Sequence, residues 1–159
     1  MKKYEFTGET KEIRLLFRTA TLHRIRATVA FGIVEVGDLG GWIEKEENLS
    51  HEGKAWVWGN AEVWGNAEVC GDAEVFSASH VLVIGAIGSR NDFTTFYRDK
   101  DNEITVKCGC FLGKIDRFLE KVTQTHGDSK YALVYRAAVE VAKLQIDLSG
   151  EAPKDADEE

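Results

Sequence analysis

The stretch GSRNDFTTFYR, Gly88 to Arg98, concentrates groups that hold anions. Ser89, Arg90, Asn91, Thr94 and Thr95 offer hydroxyl, guanidinium and amide donors, and Arg98 follows on the next few residues. Gly85 and Gly88 carry no Cβ, so the backbone beside them can approach a ligand closely. An arginine fork flanked by hydroxyls suits phosphate or carboxylate oxygens. The stretch is therefore read as a ligand-binding site for an anion. Arg24 and Arg26 in RIRATV share one side of a strand and are read as part of the same ligand-binding set. The competing roles are structural: Arg90 pairing with Asp92, and Arg24 and Arg26 forming the wet face of their strand.

Other constellations are weaker. Cys108 and Cys110, with His126 further on, have part of the donor set of a zinc site, but a tetrahedral site needs a fourth ligand and no second Cys/His pair supplies one. The cysteines are expected to act as small buried hydrophobes. His51 and His80 are the candidates for a general base. Neither sits on an inserted loop and the repeat that follows is short for an acyltransferase, so no catalytic residue, metal or cofactor is expected.

These groups must be positioned by an unusual scaffold. The run GKAWVWGNAEVWGNAEVCGDAEV repeats every six residues, with Val57, Val63, Val69, Val75, Val81 and Ile87 in register and a small residue two places before each: Ala55, Ala61, Ala67, Ala73, Ser79 and Gly85. This resembles the hexapeptide repeat of left-handed parallel β-helices, in which three hexads make one triangular coil. That resemblance implies Val57 over Val75, Val63 over Val81 and Val69 over Ile87, with Asn60, Asn66 and Asp72 at corners that need left-handed backbone angles. A column so short leaves both ends open and needs cover. Trp58, Trp64, Phe76 and Leu82 follow the inward valines and are expected to face outward as the interface of a homotrimer; the chain's own flanking segments are the alternative cover.

Around the repeat, alternation over Leu15 to Phe31 predicts one or two strands closing at GDLGGWIE. After it, Thr95 to Arg98 and Ile104 to Phe111 read as a hairpin turning at Asp99 to Asn102. Helical spacing of Ile115, Phe118, Leu119 and Val122, and then of Tyr131, Val134, Tyr135, Ala138, Val141 and Ala142, predicts two helices separated at Gly127. The fold class expected is mainly β: a short left-handed parallel β-helix with N-terminal strands, a C-terminal hairpin and two C-terminal helices. The segments are an N-terminal β cap (1–46), the hexapeptide β-helix (47–90), a hairpin with two helices (91–147) and an acidic disordered tail (148–159).

With 159 residues, of which 43% are hydrophobic, the chain can bury a core. No apolar run reaches the ~20 residues of a membrane span, and the start MKKYEFTGETKE has no apolar leader segment, so the expected place is the cytoplasm. Three cysteines without framework spacing fit a reducing compartment. The net charge of −7 argues against broad nucleic-acid binding, which needs a continuous cationic surface.

The segments GDLGGWIEKEENLS, GNAEV, GSRNDFTTFYRD and CGCFLGKIDRFLEKVTQTHGDSKYALVYRAAV resemble a family of small phage and prophage proteins with a hexapeptide centre, described as polymer-forming cytoskeletal-like. The resemblance implies an origin and a fold, and supplies no catalytic residues. By analogy with phage accessory proteins, it points to a non-enzymatic binding protein that inhibits bacterial antiviral defence. It would act either by sequestering an anionic nucleotide signal or by blocking a host defence protein. A hexapeptide-type acyltransferase and a structural self-assembling protein are the alternatives.

Overall fold

Alternation of apolar and polar side chains builds the N-terminal sheet in the computed structural model, which describes residues 2–149. Strands β1 (Tyr4–Arg14) and β2 (Thr19–Ala27) run antiparallel, with Tyr4 opposite Ala27 and Arg14 opposite Thr19. The register slips between Phe6 and Thr10, where Gly8 takes a φ of 94° and forms a bulge. Strand β3 (Leu39–Ile43) adds antiparallel to β2. In TATLHRIRA the residues Ala20, Leu22, Ile25 and Ala27 are buried, while Arg24 and Arg26 are half-buried.

The repeat follows a short 3-10 turn at Glu46–Asn48. It is expressed as contacts only two residues long: β4 (Trp56–Val57), β5 (Glu62–Val63) and β6 (Glu74–Val75). Val57 lies opposite Val75 in a parallel pair, Val63 opposite Ile43, and Val69 bridges to Leu49. The alanines at 55, 61, 67 and 73 and the valines at 57, 63, 69 and 75 are all buried in one core. The bends fall on Gly59, Gly65 and Gly71, with φ of 55°, 67° and 63°. Asn60, Asn66 and Asp72 are therefore not the left-handed corners, because glycine beside them adopts that conformation without a Cβ penalty.

A left-handed parallel β-helix does not form, and that expectation is corrected here. Such a fold needs long stacked parallel strands, whereas the chain makes sheets of antiparallel strands with two helices, a mixed α/β arrangement. The fifth and sixth hexads leave the pattern. Val81 and Ile87 belong to β7 (Val81–Ile87), which pairs antiparallel with β8 (Asp92–Arg98), so neither Val63 nor Val69 finds its expected partner. The physical reason lies in VLVIGAI, a continuous apolar run without the hexad's polar interval, preceded by a 3-10 turn at Ala78–His80 that re-aims the chain.

Strands β9 (Ile104–Cys108) and β10 (Phe111–Lys114) complete an antiparallel sheet ordered β10-β9-β8-β7. Helices α1 (Ile115–His126) and α2 (Lys130–Gln145) cover it, burying Phe118, Val122, Tyr135, Ala138, Val139 and Ala142 against Phe96 and Val106. The expected two helices thus form, and the hairpin is extended by a further strand. Strand β8 separates two cores: Tyr97 belongs to the repeat's core and Phe96 to the helical one. Residues 150–159 of the expected acidic tail lie outside the described residues.

Polar pins hold the N-terminal sheet on the repeat. Asn48 is fully buried; its amide donates to the carbonyls of Gly65 and Ala67, each at 3.0 Å, and its Oδ1 accepts from Lys45 N at 3.0 Å. Asn48→Ala would orphan these groups, so urea unfolding should show a loss on the order of 2–4 kcal/mol. A Cβ on Gly41 would stand 2.5 Å from Ala61 O and 2.8 Å from Val57 Cγ1. Gly41→Ala should therefore cost roughly 1–3 kcal/mol in the same assay.

Two histidines are acceptors and so must stay neutral. His51 Nδ1 accepts from Lys3 N at 3.0 Å, and His80 Nδ1 accepts from Phe76 N at 3.0 Å. Burial holds both below the ordinary value of 6.5, outweighing the pull of Glu46 on His51 and of Asp147 on His80. The unfolded chain therefore takes up protons first as pH falls. The histidine contribution to stability is complete above pH 6.5 and is lost as pH drops through the lowered folded values. Urea midpoints should decline below pH 6.5, and His80→Asn, which keeps an acceptor near Nδ1 but does not titrate, should shallow that decline.

Candidate functional site

The structure disperses the residues expected to grip an anion. Ser89, Arg90 and Asn91 form the exposed β7–β8 turn, with Asn91 at a φ of 50°. Thr94 and Thr95 are buried on opposite faces of β8: Thr94 Oγ1 donates to Cys108 Sγ at 3.3 Å, and Thr95 Oγ1 accepts from Glu68 N at 3.0 Å. Arg98 is 7% exposed, donates from Nε to Asn102 Oδ1 at 2.8 Å and lies 5.2 Å above the Phe76 ring. Arg24 donates to Gly40 O at 2.9 Å and sits 5.4 Å over Trp42, and Arg26 pairs with Glu5 at 2.6 Å. Only Ser89 and Arg90 of the set reach the cavity described next.

That cavity is an open cleft of about 700 Å³ between the β7–β8 turn, the β9–β10 turn and the helices. The tight β9–β10 turn, with Cys108 opposite Phe111 and Gly109 at a φ of 58°, sets Cys108 and Cys110 at its edge. Helix α1 presents Arg117 and Lys121, four residues apart and hence on one helical face. Phe111, Phe118, Val122 and Tyr135 supply its apolar surface. Glycine is required at position 88, because a Cβ there would stand 1.9 Å from Tyr135 Oη. Burial, and then the charge interaction with neighbouring Cys108, raises the Tyr135 phenol above its ordinary value. The His126 ring stacks on Tyr135 at 5.7 Å, and α1 ends at Gly127, whose carbonyl accepts from Arg136 at 3.0 Å.

The electrostatics favour an anion. Arg90, Arg117 and Lys121 face Asp92 and Glu120 in a chain of net charge −7. Arg117 lies 3.9 Å from Glu120, while no ion pair involves Arg90 or Lys121 among the described residues. The three cations over an aromatic floor can hold a phosphate-bearing ring compound. Among the described residues, no three His, Cys, Asp or Glu side chains gather to hold a metal.

The expected oligomer face is largely occupied by the chain itself. Trp58 and Phe76 do come together, ring centroids 5.5 Å apart, with Trp58 packed on the repeat's core and Phe76 buried. Leu82 packs on the helical core, and Trp64 remains 41% exposed. Sequence reasoning missed Arg117 and Lys121, although two cations four apart on the polar side of a helix were visible in KIDRFLEK. It also misjudged the cysteines: Cys110 is exposed and Cys108 half-buried at the cleft, so Cys110 is no buried hydrophobe.

Thiol labelling checks this geometry. Brief iodoacetamide treatment followed by peptide mass mapping should modify Cys110 first. Cys70 should lag, since burial raises its thiol above the ordinary value and leaves less thiolate. No protein-family model matches the chain, and no curated protein matches it.

Proposed function

We propose that the protein is a non-enzymatic binding protein that takes up a phosphate-bearing small molecule in the cleft at Arg90, Arg117 and Lys121. One observation carries this reading: three cations from two separate segments converge on one apolar-floored cleft in an otherwise acidic chain. Recognition by such a cleft is charge-assisted at the phosphate and stacking-based at the ring. The sequence resemblance to phage proteins supplies the setting, in which the bound molecule is a nucleotide signal of bacterial defence, sequestered in the cytoplasm. No helix among the described residues is long and apolar enough to cross a membrane.

Binding is favoured over catalysis by how the reactive groups are engaged. Cys108 Sγ accepts from the Thr94 hydroxyl at 3.3 Å, so the side chain it is hydrogen-bonded to is a hydroxyl and not a base. His51 and His80 each engage Nδ1 with a backbone N–H, and both titrate low. An acyl-transfer base would need a free nitrogen facing a substrate.

Calorimetric titration tests the reading with ADP, pyrophosphate and adenosine as probes. ADP should bind more tightly than adenosine, and affinity should weaken as salt rises. Arg117→Ala and Lys121→Gln should each lower ADP affinity about tenfold, in line with the loss of one charge-assisted hydrogen bond. Equal binding of ADP and adenosine, or an unchanged double variant, would overturn it.

A further inference from the structure

A second cavity, of about 190 Å³, lies between the Phe31–Val34 turn and the repeat and shares no residue with the larger cleft. Phe31 and Val34 exchange backbone hydrogen bonds at 3.0 and 2.8 Å, and Gly32 turns the chain between them with a φ of 54°. Both aromatic walls are held from behind. Phe31 packs edge-on to Trp56 at 5.3 Å and lies under the Lys3 ammonium at 4.8 Å, while Trp58 rests on Phe76. These walls have fixed positions before anything binds.

The polar lining is specific. Asp72 is engaged by Lys100 at 3.6 Å, which leaves Glu74 and Lys54 as the other charged lining residues. No hydrogen bond or ion pair engages the half-buried Glu74 carboxylate among the described residues, and burial raises its pKa. A carboxylate offers acceptors only, so a partner must bring donors. A ring N–H and the exocyclic amine beside it on a planar base meet both oxygens at once. The volume falls below the roughly 300–1,000 Å³ of drug-sized pockets and so admits one ring system, leaving any sugar and phosphate outside.

We propose that this cavity binds a guanine-type base, its N1–H and N2 amine donating to Glu74, its ring against Trp58 and Phe31, and its phosphate near Lys54. Adenine presents an acceptor nitrogen beside its amine, which sets a lone pair against a carboxylate oxygen. A site built to accept donors rejects such an analogue strongly, because a buried polar group is left unpaired.

The test uses the full chain carrying Arg117→Ala and Lys121→Gln, so that the larger cleft does not contribute and its own reading is judged separately. Guanosine monophosphate (GMP), adenosine monophosphate (AMP), inosine monophosphate and guanosine are titrated by tryptophan fluorescence and calorimetry. GMP should bind one to one at least tenfold more tightly than AMP. Inosine monophosphate, which lacks the N2 amine, should fall between them. Glu74→Gln should remove most of the preference for GMP over AMP, and Lys54→Ala should weaken GMP but not guanosine. Equal affinity for GMP and AMP, no binding of either, or an unaltered preference in Glu74→Gln would overturn the proposal. Should Glu74→Gln fail to fold by circular dichroism, the ranking of the three monophosphates on the parent decides the matter.

Discussion

A strand with both faces buried is the constraint on which this structure depends. Side chains alternate across β8, so Thr95 and Tyr97 turn to the repeat while Thr94 and Phe96 turn to the helices, and all four are buried. Each face requires its own apolar partner. The repeat supplies one with its stacked alanines and valines, and the amphipathic helix pair supplies the other. Neither half alone would keep β8 out of water, so the repeat, too short to stand as a repeat array, is completed by a different architecture. Its missing cover is the chain's own sheet and strands.

The sequence was informative where one physical signal acted alone. Helical periodicity located α1 and α2, and the 18-residue spacing set Val57 against Val75. It misled where two signals overlapped. Val81 and Ile87 keep the six-residue interval, yet the apolar run around them pairs antiparallel with β8 from Val81 to Ile84 and again at Ile87, which gives those backbone groups ladder partners. Asn60, Asn66 and Asp72 looked like corner residues, but glycine one position earlier takes the left-handed angle at no steric cost. The candidate site was half legible for a similar reason. Arg90 could be read from a polar turn, whereas Arg117 and Lys121 join it only through the packing of α1 on the sheet, a contact between segments remote in sequence.

The fold also places several conspicuous polar residues away from the cleft. Arg24, Arg26 and Arg98 are taken up by Gly40 O, Glu5 and Asn102, each satisfying a local demand of its own sheet. Glu44 shows how far such pairing goes: its hydrogen bond with Arg18, 2.6 Å long, holds the carboxyl at about 2, with a further backbone bond from Gly65. Arg90 and Lys121, which have no ion pair among the described residues, lie where the two turns and α1 meet, beside Arg117, which reaches Glu120 at 3.9 Å. The charge pattern of a site is therefore set as much by which pairs are consumed elsewhere as by what the site itself contains.

The bulge at Gly8 has a bearing on how the molecule behaves among its own copies. Strand β1 is long, lies at the rim of its sheet and would offer a straight row of unpaired amides to any neighbour. The slip in register kinks that row, and Glu5, Glu9, Lys11, Glu12 and Arg14 stud it with charge. Strand-to-strand zippering is thus discouraged at the sheet edge most open to it.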